Sequence, residues 1–287
     1  MDLKIHLSHL SLKRFRSFPE LELDLGTGIS LFHGANGNGK SNLLEALYLL
    51  AVAKSPRAVA ERELVGFGPA YEGAGVERVG EQVHTVVSAT VDRSGEPVLV
   101  RIDLLGPAEP ANSAQRSAPE DSGRESAYVD WTGVSFQKVL RVNGAPRRAS
   151  ELVGEVNAVL FSAADLDLIY GSPSVRRRYL DILISQHDRA YLRALQLYQR
   201  GITQRNHLLR AIRDGRSNPV ELGPWNERVA HDGGYIVAAR VRAMKGLRDP
   251  SAAVYADLSI AAQTLDIDYR SSFMIPDTTG VEEEVAD

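Results

Sequence analysis

Eight consecutive residues, Gly34-Ala35-Asn36-Gly37-Asn38-Gly39-Lys40-Ser41, have the types and spacing of a phosphate-binding loop, G-x-x-x-x-G-K-[ST]. The chemistry follows from the residue types. Glycines let successive backbone N–H groups curl around phosphate oxygens, and a helix that starts where the loop ends adds its partial positive charge. Lys40 is the cation expected to reach the β- and γ-phosphates of a nucleotide, and Ser41 carries the hydroxyl expected to ligate Mg²⁺. Such a loop needs a strand to feed it and a helix to leave it. Ile29-Ser-Leu-Phe-His33 predicts a short buried strand, and Asn42 to Ala51, free of Gly and Pro, predicts the helix.

Other chemistries find little support. Among 287 residues there is no cysteine, which removes disulfides, thiolate metal sites and a Cys nucleophile and is compatible with a cytoplasmic location. The seven His show no metal-ligand spacing, so no zinc site is expected. A hydrophobic content of 44% with 24% charged residues fits a soluble chain long enough for two domains. No apolar run is long enough to span a membrane, and the alternating N-terminus does not read as a signal peptide. The net charge of −4 argues against a nucleic-acid binder, but its distribution does not: residues 171–250 carry 14 Arg and one Lys against seven acids, about +8. That leaves about −12 on the rest, as if a basic module were attached to an acidic one.

The elements that must position the loop are legible from periodicity. Residues 3–14 and 20–25 predict two strands, the second a clean alternation from Glu20 to Leu25. Lys54-Ser-Pro-Arg57 ends the loop helix and exposes two cations. Val83–Val91 and Pro97–Leu105 predict a hairpin turning at Asp92–Gly95. Residues 106–126 hold no bulky apolar side chain and read as a disordered surface loop. Strand character returns at Ala127–Trp131 and Phe136–Val142, Asn143-Gly144 is a tight-turn signal, and Val159-Leu-Phe161 reads as one more buried strand. Helix dominates from residue 172. Positions 191, 195, 198, 202, 205, 209 and 212 step by 4 and 3 and are apolar except Arg205. With a second apolar stripe from Trp225 to Leu247 they predict an antiparallel helical hairpin ended by Asp249-Pro250, followed by an edge strand at Leu265–Tyr269 and an acidic tail. The expected organisation is an α/β lobe over 1–171, a basic helical lobe over 172–260, and the start of a returning α/β segment with the tail over 261–287.

Several runs in this order carry a resemblance. Leu10-Ser-Leu-Lys-Arg-Phe15-Arg16-Ser-Phe18 precedes the loop, and Asn42-Leu-Leu-Glu45-Ala46-Leu47 follows it. Val159 to Ser174, with Asp165-Leu-Asp-Leu and Gly171-Ser-Pro-Ser174, leads into Arg176-Arg-Arg-Tyr-Leu-Asp181; Gln204-Arg-Asn-His-Leu-Leu209 and Trp225 come later. Together they resemble the bacterial RecF family, within the SMC-like branch of ABC-type ATPase heads. The resemblance implies an α/β phosphate-loop head lobe with an inserted α-helical hairpin. It implies ATP and Mg²⁺ at Gly34–Ser41, an ATP-dependent homodimer, and DNA at single-strand gaps as partner. It also implies RecO- and RecR-type mediators, recombinase loading, and a place in gap repair, replication and the SOS response, away from membranes. Candidate DNA or nucleotide contacts are Arg14, Arg16, Lys54, Arg57, Arg176, Arg177 and Arg178, whose planar or extended cations suit phosphate. At least one of Arg176–Arg178 is expected to pair with Asp181. Two departures stand out. Ala163 and Ala164 replace a Pro and a Glu usual in the family, and neither a signature segment nor an acid-ended Walker B strand is found. The sequence is accordingly expected to be a C-terminal truncation rather than a degenerate relative, with slow or no ATP turnover. A fold-retaining interaction module and a small-molecule kinase are the alternatives; a kinase would need acceptor-binding acids and a lid where antiparallel strands and a helical hairpin are predicted.

Overall fold

The computed structural model describes residues 5–66, 82–93, 95–107, 135–259 and 263–271, in two compact units, 1–166 and 167–287. In the first unit, strands β1 (Ile5–Phe15), β2 (Phe18–Asp24), β3 (Gln82–Arg93), β4 (Glu96–Pro107), β5 (Gln137–Val142) and β6 (Ala145–Arg147) form an antiparallel sheet of order β2-β1-β3-β4-β5-β6. The predicted hairpin is present, with β3 and β4 in register from Gln82 opposite Pro107 to Arg93 opposite Glu96. At the β5–β6 turn Asn143 and Gly144 both take positive φ (49° and 78°), the conformation that suits a two-residue hairpin to the strand twist. One face of the sheet is apolar at every second residue, with Leu10, Leu12, Val87, Ala89, Val100, Ile102 and Leu104 fully or nearly fully buried. Helix α1 (Lys40–Val52) lays Leu43, Ala46, Leu49 and Leu50 into the same core, and the single turn α2 (Ala149–Leu152) adds Leu152. Each of these leucines contributes about 1.5–3 kcal/mol on burial, so this packing fixes the direction in which α1 presents its first turn.

The second unit is helical: a single turn α3 (Asp167–Tyr170), then α4 (Pro173–Ser185), α5 (Arg189–Arg213) and α6 (Leu222–Leu258). Asp188 caps α5 by accepting from the backbone N–H groups of Ala190 and Tyr191. The predicted hairpin forms: α5 and α6 run antiparallel, with Arg205 opposite Asn226, Gly201 under Val229, Tyr198 against Gly233 and Tyr191 beside Arg240. Its core is small, built on Leu180, Ile184, Tyr191, Ile236 and Ala239. No described helix is long and apolar enough to cross a membrane.

Five expectations are corrected. Ile29–His33 is not a strand, and Ile29 and Leu31 are fully or largely exposed. Val159–Phe161 is likewise neither strand nor buried. An apolar run becomes a strand only when a neighbour takes its hydrogen bonds, and the described sheet offers these two none. Pro250 does not end the helix, since α6 runs through it to Leu258. The ring removes one hydrogen bond, but Asp249 and Pro250 are exposed, so water can serve the freed carbonyl, and Ser251 to Leu258 continue in helix-compatible residues. Leu265–Tyr269 keeps its alternation of half-buried and exposed residues but is not a strand; Arg248 holds the Ile267 carbonyl and Tyr269 packs on the helical core. Asp181 pairs with Arg240, at 2.7 Å, and not with Arg176–Arg178. The strand predicted at Ala127–Trp131, most of the predicted 106–126 loop and the acidic tail lie outside the described residues.

Candidate functional site

The loop Gly34–Ser41 ends where α1 begins. Gly39 is the residue before the first helical turn, with φ 84° and ψ 4°, and Gly37 has φ 90°, both in the left-handed region that favours glycine. Gly39 is also hemmed in: a Cβ there would lie 2.7 Å from the Phe18 ring and from Ser17 Oγ, so the β1–β2 turn presses on the end of the loop. Leu43 N–H bonds to the Gly39 carbonyl at 2.9 Å, which closes the first helical turn directly on the loop. Lys40 Nζ donates to the carbonyls of Gly34 and Ala35, both at 2.8 Å, folding the ammonium back over the start of the loop. Ser41 is exposed beside it. The donor set fits a nucleotide polyphosphate: backbone N–H groups at a helix N-terminus, one ammonium, and one hydroxyl for a divalent cation. Among the described residues no cluster of His, Cys, Asp and Glu has metal-binding geometry.

Beside the first turn of α1 lies a network that sequence reasoning did not single out. Glu45 is fully buried and accepts from Arg16 Nε at 3.0 Å and a second Arg16 nitrogen at 2.7 Å. Arg57 reaches the same carboxylate at 3.0 Å, and Ser55 Oγ donates to it at 2.5 Å. The Ser55 oxygen accepts in turn from the backbone N–H groups of Arg57 and Ala58, which shapes the turn after the helix. Arg57 also donates to Asn42 Oδ1 (2.8 Å), and Asn42 Nδ2 donates to Ser17 Oγ (2.9 Å). One buried acid thus holds two arginines and, through Asn42, ties them to the turn against Gly39. The available signal was an acid among apolar neighbours on the buried face of α1, with Leu43, Ala46 and Leu50 beside it.

The cations named from sequence are distributed as follows. Arg14 and Arg16 both have left-handed backbones (φ 53° and 52°), and they flank Phe15, which is fully buried. Arg14 Nε donates to the Gly66 carbonyl at 2.9 Å, while Arg16 joins Arg57 on Glu45. Lys54 is exposed. Arg176 holds the carbonyls of Leu168 and Gly171, each at 3.1 Å, within the helical unit, and Arg177 and Arg178 are exposed on α4. The structure therefore brings Arg16 and Arg57 together beside the loop, and it uses Arg14 and Arg176 to hold backbone carbonyls.

A glycine loop running into a helix packed on an antiparallel sheet, with a helical hairpin following in the chain, defines a phosphate-loop ATPase head of mixed α/β class. Residues 9–103 match the family model AAA_23, an AAA domain. The chain is 37% identical over 272 residues to the DNA replication and repair protein RecF of Chloroflexus aurantiacus, covering 93% of this chain and 63% of that one. It is 36% identical over 277 residues to the RecF of Herpetosiphon aurantiacus, covering 96% and 65%. Among solved structures it resembles the recombination mediator protein RecF in the RecFOR pathway. As RecF-ATPrS the TM-score is 0.68 at 26% identity, with 89% of this chain and 58% of that chain covered; as RecF-ATP it is 0.67 at 27%, with 90% and 59% covered. The chain is similar to RecF proteins along nearly all of its own length and spans a little under two thirds of the length of the curated relatives it matches.

Proposed function

We propose that this chain binds ATP at Gly34–Ser41 and serves, as RecF proteins do, in DNA repair and replication. The observation that carries the reading is the loop itself: Gly39 closes directly into α1, Lys40 lies across the loop, and the RecF likeness extends over nearly all of this chain. In this reading Lys40 turns from the Gly34 and Ala35 carbonyls to the β- and γ-phosphates. Ser41 and the phosphates hold Mg²⁺, whose charge offsets that of the polyphosphate. The remaining steps belong to this chain's own residues. The backbone N–H groups of the loop orient the phosphates, and Glu45 keeps Arg16 and Arg57 beside them. DNA is held through its phosphates by the helical unit, with its charge of about +8 over residues 171–250. Partnership with RecO- and RecR-type mediators, ATP-dependent pairing of two heads, and recombinase loading at gaps complete the proposal.

The test is equilibrium binding of a fluorescent ATP analogue with Mg²⁺ to the parent and to Lys40→Ala. Measurable binding by the parent that is lost in the variant supports the site. Equal affinity in the two proteins would place the nucleotide elsewhere, and no binding by a folded parent would favour a nucleotide-free interaction module.

A further inference from the structure

Helix α5 holds six arginines and no acid in 25 residues. Of the six, Arg205 bonds Asn226 of α6 and Arg213 pairs with Asp214. On the side of α5 opposite its buried Tyr191 stripe, Arg189, Arg193, Arg200 and His207 follow one another at steps of 4, 7 and 7 residues. At about 100° per residue they fall within about 40° of a single line, and the row rises by about 27 Å. All four are exposed, with Gln196, Thr203 and Gln204 filling the row between them. Among the described residues Arg200 makes no hydrogen bond or ion pair, and Arg193 meets the Arg189 carbonyl at 3.4 Å.

A merely solvated helix face mixes signs, because opposite charges at i, i+4 each contribute about 0.2–0.5 kcal/mol and like charges lose a similar amount. Arg193 and Arg200 lie on a face of α5, and α5 carries no acid. Guanidinium, amide and hydroxyl donors in one row are the side chains that contact nucleic-acid backbones.

We propose that this face of α5 tracks the phosphate backbone of DNA, with Arg193 and Arg200 as the main contacts. The proposal rests on the DNA-binding reading above and deepens it. It moves the contact away from Arg176, whose guanidinium holds the Leu168 and Gly171 carbonyls.

The experiment is a salt titration of the full chain on a fluorescein-labelled gapped duplex, read by anisotropy, for the parent, Arg193→Gln/Arg200→Gln and Arg193→Lys/Arg200→Lys. For duplex contacts the slope of log K against log salt should flatten by about 1.8 in the Gln double variant, about 0.9 per lost phosphate contact, and the Lys pair should keep the parental slope. Circular dichroism and ATP-analogue affinity should be the same in all three proteins. A Gln double variant with parental slope and affinity overturns the assignment to α5. A parent that shows no salt-dependent DNA binding sinks instead the broader DNA reading, and the two failures are distinct. Displacement of the DNA by polyaspartate at a charge concentration about tenfold below that of competing DNA would make an acidic polypeptide the occupant and would also overturn the proposal.

Discussion

Glu45→Gln isolates the buried carboxylate that organises the loop's surroundings. Glu45 is 1% exposed, its Arg16 partner 19% and its Arg57 partner 46%. The substitution keeps the shape of the side chain and removes its charge. It also turns an amide N–H₂ toward groups that are themselves donors, two guanidiniums and the Ser55 hydroxyl. The Arg16 arm is two-pronged and mostly shielded from water, and hydrogen bonds to a charged group contribute about 1.5–3 kcal/mol. The Arg57 arm is nearly half in water and adds at most about 1 kcal/mol. A loss of about 2–4 kcal/mol follows, and at about 2–4 °C of melting temperature per kcal/mol this gives a fall of roughly 4–16 °C.

Thermal melting by circular dichroism measures this loss, and a double-mutant cycle with Arg16→Gln apportions it. The Arg16–Glu45 coupling should exceed about 1 kcal/mol. Arg57→Gln alone should cost less than about 1 kcal/mol. A Glu45→Gln protein that melts within 1 °C of the parent would refute the reasoning, because the buried charge would then be holding nothing that matters to the fold.

Three further outcomes are expected. Gly39→Ala must place a Cβ at φ 84° against the Phe18 ring and Ser17 Oγ. An Ala in that conformation costs about 1–2 kcal/mol before any clash, so ATP-analogue affinity should fall roughly tenfold or more, and retained affinity in a titration would mean that the loop reshapes to bind. His9 has its pKa raised by hydrogen bonds to Asp24 and then Glu22, so its contribution is fully present below its unfolded value near 6.5 and is lost as pH rises through the folded value. Denaturant midpoints should therefore drop slightly from pH 6 to pH 8 in the parent but not in His9→Gln; the pair is exposed, so the effect is small, and equal drops in both proteins would exclude His9 as its source. Tyr191→Phe removes a fully buried hydroxyl that donates to Asp181 and accepts from Arg240 Nε. That should lower unfolding free energy by about 1–3 kcal/mol in urea titrations, and a change below about 0.3 kcal/mol would show that Arg240 and Asp181 satisfy each other without it.

What was legible in the sequence is what short stretches decide by themselves. The loop, the β1–β2 and β3–β4 pairs, the Asn143-Gly144 turn and the α5–α6 hairpin are set by spacing, by side-chain periodicity and by residues that tolerate positive φ. Ile29–His33 and Val159–Phe161 carry the composition of buried strands, but a strand is a relation between segments, and composition does not say whether a neighbour is there to take the hydrogen bonds. The same distinction governs charge. A surplus of about +8 over residues 171–250 is a count, and a count does not tell which cations an anion can reach. Arg240 is taken by Asp181, Arg228 by Asp232, Arg205 by Asn226 and Arg248 by Asp266. Arg228–Asp232 is an i, i+4 pair within α6, whereas the other three lie 59, 21 and 18 residues apart in the chain and depend on how α4, α5, α6 and the segment after α6 pack. Local and long-range pairing consumes part of the apparent basicity and leaves the rest on exposed faces of α4, α5 and α6. On α5 the exposed Arg193 and Arg200 are in line, which is why the electrostatic footprint of this unit is better described by these two than by the Arg176–Arg178 run that stands out in the sequence.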